Sequence, residues 1–89
     1  MSKESRIISD TYEALLDEGC ESAANVIDAC CTWADDGSLN KVKYWLKYGI
    51  ENNGNYEKTH ISRRENLVSV RSLKRAFELL EKNDCNFYL

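Results

Sequence analysis

Apolar side chains recur at three- and four-residue spacing in four stretches of this chain, the period of helices that turn one face inward. The clearest stretch is 37–49, GSLNKVKYWLKYG, where Leu39, Val42, Trp45, Leu46 and Gly49 share a face. Lys41, Lys43 and Lys47 take other angles, and Lys47 sits in the last turn, where a cation complements the helix dipole. Ser38 is suited to cap the start, its hydroxyl accepting from a backbone N–H one turn on, and Gly37 lets the chain turn in. Gly49 is suited to the left-handed conformation that stops a helix.

Three further helices follow from the same pattern. The first is expected over 6–17, with Ile8, Tyr12 and Leu15 on one face, Ile7, Thr11 and Leu16 beside them, and Gly19 as its stop. Glu13, Asp17 and Glu18 make its acidic outer side. The second is expected to be capped by Ser22 and to reach Ala34. Its stripe of Ala23, Ile27, Cys30, Cys31 and Ala34 is widened by Val26, Ala29 and Trp33, which marks an inner helix packed on several sides. Asp35, Asp36 and Gly37 read as a tight turn into the central helix, so the two should form an antiparallel hairpin. The last helix is expected over 67–82, with Leu73, Ala76, Phe77 and Leu80 inward and a Glu78–Lys82 pair outside. The apolar tail 86–89, Asn-Phe-Tyr-Leu, is expected to dock.

Between 51 and 66 the helical period fails. ENNGNYEKTHISRREN is polar and rich in turn residues, a connector long enough to be a functional or a mobile loop. Asn53-Gly54 signals a turn, and residues 56–61 are placed as a short hairpin. The fold class is therefore all-α, about four helices in antiparallel hairpins with one long polar loop. Ile27, Trp33, Leu39, Val42, Leu46, Leu73, Phe77 and Leu80 are the expected core.

Shifting the chain by 34 residues lays SLNKVKYWLKYGIENN over SLKRAFELLEKNDCNF, with Ser38/Ser72, Leu39/Leu73, Leu46/Leu80 and Asn52/Asn86 identical. A period of this size belongs to stacked helical repeats. Gly37, Leu39, Val42, Lys43, Leu46, Gly49 and Asn53 resemble the second helix and exit turn of an ankyrin repeat. The resemblance covers about a third of the chain, and Asp28-Ala29-Cys30-Cys31 stands where that family has Thr-Pro-Leu-His. It implies degenerate stacked helices that bind protein without catalysis.

Eighty-nine residues make one domain, residues 1–89. The hydrophobic and charged fractions, 43% and 30%, are globular and exclude general disorder. The absence of proline favours long uninterrupted helices. Net charge is −3, but residues 1–37 hold nine acids against Lys3 and Arg6, while 38–89 hold ten bases against six acids. The two halves, at −7 and +4, make both a basic protein and an anion conceivable partners. No apolar run has the length of an export signal or a membrane span, which points to a cytoplasmic protein with reduced thiols.

Chemistry for catalysis is thin. Cys20, Cys30, Cys31 and Cys85 lack paired metal-ligand spacing, and His60 is the one histidine. Asp35 and Asp36 before Gly37 are turn formers rather than a catalytic pair. No metal, cofactor or enzymatic activity is expected. The favoured function is a non-catalytic protein-binding module, an inhibitor or neutralising partner of another protein, itself basic if the acidic helices take part. Its contact residues would be Lys43, Tyr44, Lys47, Tyr48 and Tyr56, since tyrosines beside cations make interface anchors. Homo-oligomerisation is also open. The alternative is a nucleic-acid-binding regulator with a helix-turn-helix-like segment at 60–81. There 62–67 would be the short first helix, Arg63 and Arg64 would hold phosphates, and Arg71, Lys74 and Arg75 would face the groove.

Overall fold

A computed structural model of the chain describes Lys3–Cys30 and Leu39–Phe87. Among these residues there are four α-helices: α1 (Lys3–Asp17), α2 (Glu21–Cys30), α3 (Leu39–Glu51) and α4 (Val70–Phe87). A single 3-10 turn, His60–Arg63, lies in the loop before α4. The fold is all-α, as the periodicity requires. The expected cap at Ser38, the turn at 35–37, the core position of Trp33, the paired Cys31 and the final two residues of the tail lie outside the described residues.

The helices close into a ring. α1 packs most extensively on α4 and α2, α3 on α4, and α2 on α3, while the diagonal pairs α1–α3 and α2–α4 touch least. A stack on the 34-residue offset would press α3 on α4, as here, but would hold α1 away from α4, whereas α1 packs on α4 as extensively as α3 does. The geometry is therefore that of a closed four-helix bundle.

α1 turns Ile7, Ile8, Thr11 and Leu15 inward and leaves Leu16 exposed. Gly19 ends it with φ of 80°, and two bonds, Cys20 N–H to Leu15 O (2.8 Å) and Gly19 N–H to Leu16 O (3.1 Å), satisfy its last carbonyls. The turn delivers the chain so abruptly that α2 starts at Glu21, leaving Ser22 inside the first turn rather than capping it. After Glu21 no residue of α2 is fully exposed, the pattern of an inner helix.

α3 receives a cap from another helix. The Glu4 carboxylate on α1 accepts from the Leu39 N–H at 3.2 Å, satisfying one of the free N–H groups at the helix start. Gly49 does not stop α3. It lies within the helix and is buried, and the left-handed residues are Asn53 (φ 56°) and Gly54 (φ 78°). The Gly54 N–H closes back on Gly49 O at 2.6 Å, so the exit turn sits four residues later than the spacing predicts.

The physical reason is Tyr56. A Cβ on Gly49 would run into its Oη and lie 2.5 Å from its Cζ and 2.7 Å from Leu73 Cδ1. Tyr56 is fully buried and donates to the Trp45 carbonyl at 2.8 Å. The missing side chain at Gly49 is thus the slot into which the loop's tyrosine fits.

The expected 56–61 hairpin does not form. The loop instead closes on itself by an isolated antiparallel bridge between Asn55 and Leu67, with Tyr56 N–H to Asn66 O (2.8 Å) and Val68 N–H to Gly54 O (2.9 Å). Tyr56, Ile61 and Val68 anchor it in the core, and Arg64 and Glu65 tie it to α2 through Asp28 (2.6 Å) and Asn25 (2.9 Å). Because 66–68 is committed to the bridge, α4 begins at Val70 rather than Leu67. At the other end α4 continues past Lys82, because Asn83 donates to Thr11 on α1 (2.9 Å) instead of ending the helix. Leu73, Ala76, Leu79 and Leu80 are buried on α4, whereas Phe77, expected in the core, is half-buried. Glu78 turns back to Arg75 (2.8 Å) rather than forward to Lys82.

Candidate interaction face

The outward face of α3 and the adjoining loop carry the aromatic residues singled out by the sequence. The helical period places Asn40, Tyr44, Lys47 and Glu51 on the side opposite Val42, Leu46 and Gly49, and all four are exposed. Tyr44 keeps 61% of its surface in water. Its ring stands edge-on to Trp45 at 5.1 Å, and Trp45 meets Tyr48 at 5.3 Å and His60 at 4.9 Å. Such edge-to-face contacts fix ring positions. His60 reaches Trp45 because the 3-10 turn presents it: Thr59 Oγ1 accepts from Ile61 N–H at 3.2 Å, and buried Ile61 pins the turn to the core.

Of the five residues expected to bind a partner, four lie together. Tyr44 and Lys47 are exposed, Tyr48 is half-buried, and Lys43 is half-buried at the rim, 3.6 Å from Asp84. Tyr56 does not belong with them. Its ring packs beneath Tyr48 at 5.9 Å, fully buried, and burial first of all pushes its phenol well above the ordinary tyrosine value. It supports the face from below and cannot touch a partner. Trp45, half-buried against the core as its place in the stripe predicts, and His60 from the loop border this face through their ring contacts.

Beside Tyr48 lies a shallow depression of about 200 Å³ lined also by Asn52, Asn55, Glu57 and Lys58. The asparagine groups there serve the loop: Asn52 Nδ2 donates to Tyr48 O (2.8 Å), and Asn55 Oδ1 accepts from Glu57 N–H (2.9 Å). No buried side-chain polar atom among the described residues lacks a partner.

Of the residues of the alternative reading, Arg71, Lys74 and Arg75 line one cavity of about 480 Å³ with Glu18, Cys20, Ser72 and Glu78, while Arg64 is tied to α2. Residues 62–67 form no helix beyond the 3-10 turn, so 60–81 does not build a helix-turn-helix. Arg64 is held by Asp28 and Asn25, and Arg75 grips Glu18 through two bonds (2.8 and 2.9 Å) as well as Glu78. The Arg75 hydrogen bond and charge lower the Glu18 carboxyl, and Glu18 in turn raises Arg75. Arg71 and Lys74 are exposed on α4, and Arg63 Nε leans on His60 O at 3.4 Å. The charge asymmetry of the sequence is thus partly spent inside the molecule, where Arg64–Asp28 and Arg75–Glu18 join the basic half to the acidic half.

No protein-family model, curated protein or solved structure matches the chain. No helix among the described residues is long and apolar enough to cross a membrane.

Proposed function

We propose that the chain is a non-catalytic protein-binding module whose contact surface is the outward face of α3, with Tyr44 as anchor, Tyr48, Trp45 and His60 around it, and Lys43 and Lys47 at the rim. The exposure of Tyr44 carries this proposal. The ring is fixed against Trp45 yet three-fifths uncovered. A held aromatic loses little rotamer freedom on binding, and covering its exposed part, on the order of 100 Å², is worth roughly 2–3 kcal/mol. Acting by occupancy alone, such a module suits an inhibitor or neutralising partner.

The test is affinity capture with the full chain and with Tyr44→Ala, followed by titration of whatever protein is retained. Tyr44→Ala should fold normally, since its side chain is mostly in water, and should weaken binding by about 1–3 kcal/mol, the range for an interface anchor. Equal capture by both proteins would place the contact surface elsewhere.

A further inference from the structure

We infer that the partner taken by this α3 face is a second copy of the same chain, which presents the outward face of its α1. The inference rests on the α3 reading above and names its occupant. Three large hydrophobic side chains are exposed among the described residues: Leu16 on α1, Tyr44 on α3 and Leu67 in the loop. The two helical ones sit in surroundings of opposite sign. Beside Leu16, Asp10, Glu13 and Asp17 fall within a sector of about 60° of the helix, with Arg6 as the one cation in it. All are exposed, and the three acids form no ion pair among the described residues. One turn from Tyr44 stands Lys47, and the neighbouring loop adds Lys58 and Arg63 against Glu51 and Glu57.

α1 and α3 are diagonal in the ring, so the two faces point away from each other. They cannot meet within one molecule and can meet between two. The contact is head-to-tail: each copy offers an acidic face with Leu16 and a basic face with Tyr44, and assembly stays open rather than closing as a symmetric dimer. Two single helix faces make a small, salt-sensitive interface, which belongs to the weak class.

Sedimentation velocity on the full chain tests this directly. At low salt the average mass should climb past that of a dimer as concentration rises from ~10 μM toward ~1 mM, and fall back in ~0.5 M salt, where screening is strong. Leu16→Ala and Tyr44→Ala should each abolish association, because every head-to-tail contact needs both faces. Mixed one to one, they should recover a dimer and nothing larger, through the intact Tyr44 face of one and the intact Leu16 face of the other. A thermal melt of each variant checks folding; if Leu16→Ala lowers the midpoint, Glu13→Gln with Asp17→Asn takes its place. A wild-type chain that stays monomeric, a variant that associates like wild type, or a mixture that recovers nothing overturns the inference. If the chain is monomeric but Tyr44→Ala still loses a foreign protein, the α3 face stands and only its occupant is wrong. If Tyr44→Ala changes neither, both fail.

Discussion

Gly49 lies inside α3, where helix propensity alone says that alanine should be better by ~1 kcal/mol. The packing says the reverse. The added Cβ would strike the Tyr56 phenol and crowd Leu73 Cδ1 at 2.7 Å. Neither group can yield easily: Tyr56 and Leu73 are both fully buried, and the Tyr56 hydroxyl is bonded to Trp45 O at 2.8 Å. Forcing a methyl into a filled core costs ~1–3 kcal/mol, and losing the hydroxyl bond ~1 kcal/mol more. Against the propensity gain, Gly49→Ala should destabilise by about 1–3 kcal/mol, and its melting midpoint should drop by roughly 4–24 °C at this chain length. Urea denaturation of Gly49→Ala, Tyr56→Phe and the double variant reads the coupling. Removing the hydroxyl removes the nearest clash, so Tyr56→Phe should cost ~1 kcal/mol in the parent and less in the Gly49→Ala background. A Gly49→Ala protein that gains the stability of an ordinary helix site would refute the slot, and with it the anchoring of the loop.

Leu46→Ala should cost about 2–5 kcal/mol in the same assay, because Leu46 has no exposed surface; an unchanged midpoint would put the stripe of α3 on the wrong side. Glu4→Ala removes the donated cap of α3 and should cost about 0.5–2 kcal/mol, read as a loss of hydrogen-exchange protection at the first turn of α3 in particular. Tyr56 gives a pH signature. Its folded pKa is raised, so the folded state holds the phenolic proton more tightly, and the stabilisation is complete below the unfolded value of about 10 and is lost as pH rises beyond it. The stability advantage of wild type over Tyr56→Phe should therefore shrink above about pH 10; an advantage that grows would contradict burial of the ring.

The helices were legible because their evidence is local. Leu39, Val42 and Leu46, or Leu73, Ala76 and Leu80, announce a face through spacing that survives any tertiary arrangement. Gly19 was legible for the same reason, a glycine three residues past Leu16, the last of an apolar stripe. Gly49 looked identical in sequence and was not, because its purpose depends on a tyrosine that arrives from the next segment. Tyr56 and Ile61 gave no periodic signal, being two core residues in a run of polar ones, so the loop read as solvated and Tyr56 as available for binding, while Val68 read as part of the last helix. The four-residue face on α3 could be found from a local surplus: a short helix with its inward side already filled had two tyrosines left over. The place of His60 beside that face required knowing where the 3-10 turn lands. Ring closure was equally hidden, since no pattern within α1 or α4 specifies which helix each will meet.

That closure has a kinetic consequence. The contact between α1 and α4 includes Thr11 and Asn83, residues 72 positions apart, and it seals the ring that α2 and α3 begin. Closing so long a loop delays the α1–α4 contact until α4 is in place, although each helix can form locally. A nascent chain that has emerged as far as α3 carries an open groove of Ile8, Leu15, Val42 and Leu46 with no α4 to fill it. Its acidic half also lacks the Arg64 and Arg75 cations that later compensate Asp28 and Glu18. Folding should thus come late and in one step, with α1 and α4 gaining and losing amide protection together rather than as separate hairpins.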